Sequence, residues 1–231
     1  MKFLHQTFLI ALGSASLTWA VPAAAFTITT GGTPVLNEGQ YTSVAGATTV
    51  NFNNPPPSGG LPTSPVYTSV VNPPAVVVGN SPGEYASPTG DTSPFLTISP
   101  AGGSIPVNRG GTGPVTINFS GVGGGLMNYF GLYWGTVDSY NSIAFFNGAT
   151  QIGSTVSGSA IGVPPNTTVY VNFTFTNAEA FNRVVLTSSQ AAFESDNHAY
   201  REVPVPPAWL GILLTGGISA IQGLKRQQQQ S

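Results

Sequence analysis

Residues 129–148 read Tyr-Phe-Gly-Leu-Tyr-Trp-Gly-Thr-Val-Asp-Ser-Tyr-Asn-Ser-Ile-Ala-Phe-Phe-Asn-Gly. Two short runs rich in aromatic and apolar residues, 129–134 and 142–146, are separated by polar turn formers. Neither run is long enough for a packed helix, and aromatic residues favour a pleated, half-buried surface. The second run ends at Asn147-Gly148, with Thr150-Gln151-Ile152 beyond it. An Asn-Gly pair between extended runs signals a hairpin, because both residues tolerate positive φ. This block predicts antiparallel strands.

Working outward, period-two alternation recurs at 26–29, 49–52, 66–71, 75–78, 115–119, 169–175, 184–188 and 192–200. Turn formers separate these runs, as Asn72-Pro73-Pro74 separates the third from the fourth. Many short strands with turns between them predict an all-β fold, an antiparallel β-sandwich or jelly roll. The stretches 53–65 and 80–94 are rich in Pro, Gly and Ser and read as loops.

Composition agrees and excludes several function classes. Charged residues make up only 6% of the 231, against about a quarter in ordinary soluble domains. Without cysteine there is no disulfide framework, no thiolate metal site and no thiol nucleophile. Residues 26–202 hold three arginines, no lysine and all eight acids. Such a body offers no basic surface for a phosphate backbone, so nucleic acid is not an expected partner.

Both ends of the chain read as address labels. Residues 1–25 have a basic start at Lys2, an apolar run, and small residues at Ala23 and Ala25. That pattern predicts a secretory signal peptide, cut by signal peptidase to leave Phe26 first. At the other end, residues 208–224 form an apolar run without charge, followed by Lys225-Arg226. As a helix the run spans roughly 25 Å, a little short of the ~30 Å hydrocarbon core. It reads as a marginal transmembrane anchor with a basic stop on the cytoplasmic side. Val203-Pro204-Val205-Pro206-Pro207 stands before it. Prolines there bar helix and sheet pairing and leave an extended segment open to a protease.

The proline motif, apolar helix and basic finish over 203–231 resemble the PEP-CTERM sorting signal of Gram-negative bacteria. The usual Pro-Glu-Pro stands here as Pro204-Val205-Pro206. The resemblance implies an exported precursor, held briefly in the inner membrane and cut near the prolines by an exosortase. The product then reaches the cell surface or extracellular matrix. The competing reading is a plain single-span anchor that is never cut. Residues 118–200 also look like the core of a subgroup of exosortase-dependent surface proteins, a resemblance that implies a β-sandwich and no assigned activity.

Candidate chemistry is sparse. Glu194 and Asp196 lie two apart in the last strand and so share a face, with Cα atoms about 7 Å apart. With Asp138 and Glu38 they offer hard oxygen ligands for Ca²⁺, the one cofactor the residues suggest. Asp196-Asn197 in a terminal strand resembles the calcium edge of jelly-roll sugar-binding modules. The competing reading is a solvated strand face, or Asp196 accepting hydrogen bonds from loop amides. The same Glu194 and Asp196 could serve a glycosidase as acid and nucleophile, though no positioning groups surround them in the sequence. His198 is the only histidine after the signal peptide, so no His cluster for zinc exists. Period two puts it on the face of Glu194 and Asp196, in an exposed, salt-bridged role. The cluster at 121–125 fails the Gly-x-Gly-x-x-Gly spacing at Leu126 and precedes a strand, so it is a link and not a phosphate loop.

Tyr129 and Tyr133 share one face of their strand, with Gly131 between them. Exposed rings so placed would stack on sugars, which makes exopolysaccharide a candidate ligand. The competing reading packs them under a loop or a second sheet. The leading expectation is a non-enzymatic, exported surface or matrix protein. A carbohydrate-binding module is the alternative, and a glycan hydrolase the third.

Overall fold

A computed structural model describes residues 26–53, 61–69, 75–100 and 111–204. The signal peptide with Ala23 and Ala25, the motif residues Val205, Pro206 and Pro207, the apolar run 208–224 and Lys225-Arg226 lie outside the described residues. Among the described residues no helix is long and apolar enough to cross a membrane.

The fold is all-β. The larger sheet runs β1 (Phe26–Thr30), β13 (Val169–Phe175), β10 (Met127–Trp134), β15 (Phe193–Glu202), β7 (Phe95–Ser99) and β6 (Ala75–Val77). β4 (Thr48–Val50) also pairs with β15, and β8 (Gly111–Thr112) pairs with β7. The smaller sheet runs β12 (Thr150–Ser157), β11 (Asn141–Asn147), β14 (Arg183–Ser188), β9 (Val115–Asn118) and β5 (Val66–Ser69). β2 (Thr33–Pro34) and β3 (Gln40–Tyr41) make a separate two-stranded ribbon. Ladder pairing among the described residues is antiparallel except between β7 and β8.

The predicted hairpin is β11–β12. Asn147 pairs with Thr150, and Gly148 takes φ +58 in the two-residue turn. Glycine reaches that region without the clash a Cβ would bring.

One apolar core takes side chains from both sheets. Phe130, Leu132 and Trp134 of β10, Val171 and Phe173 of β13, and Phe193 of β15 meet Ile143 and Phe145 of β11, Ile117 of β9 and Val184 of β14. Phe145 is the hub: its ring centroid lies 4.8 Å from Phe175, 5.0 Å from Phe173, 5.2 Å from Phe181 and 5.5 Å from Phe26. Trp134 stacks on Phe193 at 4.6 Å.

Two bulges reset which residues face this core. In β15, Gly131 pairs with Ala199 but Tyr133 pairs with Asp196, so Asn197 and His198 together oppose Leu132. Asn197 takes φ +49, the left-handed backbone that lets the extra residue fit. A second shift lies in β10, where Met127 pairs with Glu202 and Tyr129 with Arg201. It turns Met127 into the core although Tyr129, two residues on, faces outward.

β7 was not anticipated from the sequence. All five of its residues are buried, and the alternation Leu96-Thr97-Ile98-Ser99 is only four residues long. Pro94 and Pro100 close around it and make the run look like loop.

Candidate functional site

The outer face of the larger sheet carries a second, polar layer. Tyr129 and Tyr133 do point to this face together, but they are not an exposed platform: they are 0% and 3% exposed. The N-terminal stretch through β2 and β3, and the residues around 89–93, lie over them. Tyr129 Oη donates to Asn172 Oδ1 at 2.7 Å and lies 2.7 Å from Thr42 Oγ1. Tyr133 Oη donates to the Thr89 carbonyl at 2.5 Å. The gap left by Gly131 is filled, since a Cβ there would fall 2.3 Å from Tyr129 Oη and 2.7 Å from the Tyr170 ring. Gly39 seals Tyr133 in the same way, with φ +68 and no room for a Cβ against the ring. Phenols need partners when buried, and this layer supplies them. The tyrosines thus serve to hold the covering segment down, the loop-packed alternative.

The acids divide between two places. Glu194 Oε1 accepts the Ala86 N–H at 2.9 Å, and Oε2 accepts the Thr136 hydroxyl at 3.4 Å. Asp138 Oδ2 accepts the Tyr140 hydroxyl at 2.8 Å. Both carboxylates line a cleft of about 490 Å³, with Glu84, Tyr85, Tyr140 and Asn166 among its walls. Burial raises the Glu194 carboxyl above the usual range, and the Asp138 charge adds to this. Burial likewise raises the Tyr140 phenol, helped by its bond to Asp138.

Asp196 is not part of that cleft. It is fully buried beneath the covering segment, where it meets Asp91 and Ser93. Ser93 Oγ lies 2.5 Å from Asp91 Oδ1 and 3.2 Å from Asp196 Oδ2. Burial and the neighbouring Asp91 charge push the Asp196 carboxyl up to about 8. Glu38 bonds instead to the Tyr41 hydroxyl. The predicted calcium set of Asp138, Glu194 and Asp196 is therefore not assembled. Among the described residues no three His, Cys, Asp or Glu side chains gather as metal ligands. Strand parity brings Glu194 and Asp196 to one face, but different loops cover them.

His198 faces the other way. The Asn197 bulge turns it into the core, where it is 1% exposed and has no salt bridge to Glu194 or Asp196. Its ring sits among Phe52, Tyr67 and Phe130 at centroid distances of 5.3, 5.8 and 5.7 Å. Nδ1 lies 2.9 Å from Tyr67 Oη, and Nε2 lies 2.9 Å from Ser195 Oγ. Burial alone holds the imidazole down at about 3, so it is neutral at pH 7. Tyr67 belongs to β5 and His198 to β15, so this polar chain ties one sheet to the other. Ser195 is fully buried, which denies a substrate access to its hydroxyl.

Asp91, and the left-handed bulge at Asn197, are what the sequence did not reveal. Asp91 lies in a Pro- and Ser-rich stretch with no spacing relation to β15. Asn197 reads only as the neighbour of Asp196, though Asn is among the residues that best tolerate a left-handed bulge. Comparison with family models, curated proteins and solved structures finds no match to this chain.

Proposed function

We propose that this protein is an exported, non-enzymatic β-sandwich, delivered to the cell surface or matrix through a PEP-CTERM-like signal cut by an exosortase. The observation that carries the reading is the agreement between the two end signals and the body between them. Phe26, the residue that signal peptidase would leave first, already belongs to a strand, β1. Phe26 is no loose end: its ring packs on Phe145, Phe173 and Phe175. The last strand closes at Glu202, immediately before the proline motif. A cut near Pro204 and Pro206 would therefore spare every ladder pair of the body. Replacing both prolines with Ala in the producing cell tests the route. The expected result is a protein that retains its C-terminal segment and stays with the inner membrane. Unchanged mature mass and location would remove proteolytic sorting.

The cleft favours a second reading, recognition of exopolysaccharide. Its walls combine the rings of Tyr85 and Tyr140 with Glu84, Asp138, Asn166 and Glu194. Rings for stacking and fixed acceptors for hydroxyl groups are what a sugar site needs. Replacing Tyr85 with Ala should abolish retention on an exopolysaccharide column. Equal retention of the variant would move any sugar site elsewhere. Hydrolysis by Glu194 and Asp196 gains no support from the geometry, because Asp196 is fully buried.

A further inference from the structure

Beneath the segment that covers β15, acceptor oxygens outnumber donors. Asp91, Asp196 and Asn197 are 4%, 0% and 0% exposed. Asp91 Oδ2, Asp196 Oδ1 and Asn197 Oδ1 are buried with no hydrogen-bond partner, and so is Gln40 Oε1. The orientation of the Asn197 amide is fixed by its neighbours. Its nitrogen donates to the carbonyls of Glu38 at 2.6 Å and Gln40 at 3.2 Å, which leaves the oxygen as the unpaired atom. Asp91 is bridged to Glu38, and the Thr92 N–H donates to the Asn37 carbonyl at 2.9 Å. Three chain segments, 37–40, 91–93 and 196–197, thus meet here, each bringing an unpaired buried oxygen.

Among the described residues no side-chain cation answers it. Among the described residues the only Lys or Arg side chains are Arg183 and Arg201. Arg183 reaches the Gly148 carbonyl, and Arg201 reaches Asn128. His198 is turned into the core among Phe52, Tyr67 and Phe130. Two contacting carboxylates with unpaired amide oxygens therefore lack a positive partner among the described residues, and buried charge is stable only when paired or bound to metal.

We infer that a hard divalent cation, calcium, binds at Asp91, Asp196 and Asn197, with Gln40 at the margin of the site. Oxygen-only donors select Ca²⁺ or Mg²⁺ over softer metals. Amide oxygens mixed with carboxylates at irregular positions suit the flexible shell of Ca²⁺ better than the strict octahedron of Mg²⁺. The ion would pin the turn at 37–40 and the residues at 91–93 onto β15. This set shares Asp196 and the adjoining Asn197 with what the sequence suggests but replaces Asp138 and Glu194 with Asp91, and it depends neither on the export route nor on sugar binding.

The test uses the purified protein, stripped with EDTA and dialysed, then titrated with CaCl2 or MgCl2. Expected are one calcium per chain by elemental analysis and a Tm several degrees higher with CaCl2 than in EDTA. Asp91→Asn and Asp196→Asn should lose the calcium response. Both are isosteric and remove charge repulsion, so they should fold at least as well as the stripped wild type. Asp138→Asn, in the cleft, should keep the full response. Terbium should luminesce through Tyr133, which pairs directly with Asp196, and Asp196→Asn should quench that signal. Equal Tm in EDTA and in CaCl2, with no bound metal, overturns the inference and leaves a shared proton as the answer. A response lost in Asp138→Asn but kept in Asp196→Asn also overturns it.

Discussion

His198 makes the fold sensitive to acid. Its imidazole is held at about 3 in the folded protein, against about 6.5 in an unfolded chain. Between those values the unfolded chain binds a proton that the native state excludes. The contribution is complete above about pH 6.5 and is lost as pH falls towards 3. Asp196 and Glu194 act in the opposite sense, because their carboxyls are raised in the fold. Comparing wild type with His198→Gln cancels those shared terms. The stability advantage of wild type over the variant should shrink by about 2 kcal/mol between pH 7.5 and pH 5. Urea unfolding at the two pH values measures it, and a constant gap would mean that His198 is solvated.

At the scale of the element, β15 shows why strand parity alone misleads. Period two correctly sets Glu194 and Asp196 on the outer face. It fails at His198, because one inserted residue moves every later side chain to the opposite face. Asn197 carries that insertion in left-handed backbone. In a regular strand Ala would be better than Gly by roughly 0.5–1 kcal/mol. At a left-handed position the order reverses, and Asn197→Gly should be more stable than Asn197→Ala by about 1–2 kcal/mol. Thermal or urea melts of the pair decide it, since both variants lose the same side-chain bonds. β11, β13 and β14 were legible because each alternates cleanly against one core, and β10 because of its dense aromatic run. β7 was not, since its alternation, Leu96-Thr97-Ile98-Ser99, is only four residues long and is closed in by Pro94 and Pro100. The covering layer was hidden for a different reason. β2 and β3 are two residues each, too short to make a pattern, and the covering layer holds Tyr129, Tyr133 and Asn197 by scattered long-range bonds to Thr42, Thr89, Glu38 and Gln40.

Across the whole molecule, stability rests on rings shared between sheets. Phe145 and Phe146 are adjacent, yet only the first enters the core. Phe145→Ala should cost about 3–5 kcal/mol in urea unfolding. Phe146→Ala loses an outer contact with the Arg183 guanidinium at 4.4 Å, and should cost about 0.5–1 kcal/mol. Similar losses in both would show that the two sheets do not share one interior. The order of the strands has a further consequence. Among the described residues β1 comes first and pairs with β13, and β15, which sits between β10 and β7, is the last strand. The larger sheet cannot close until residue 202 has been delivered, because its middle arrives at the end. Such long-range pairing also slows closure. A polypeptide that withholds its own centrepiece stays threadable until then, which would suit the export route proposed above.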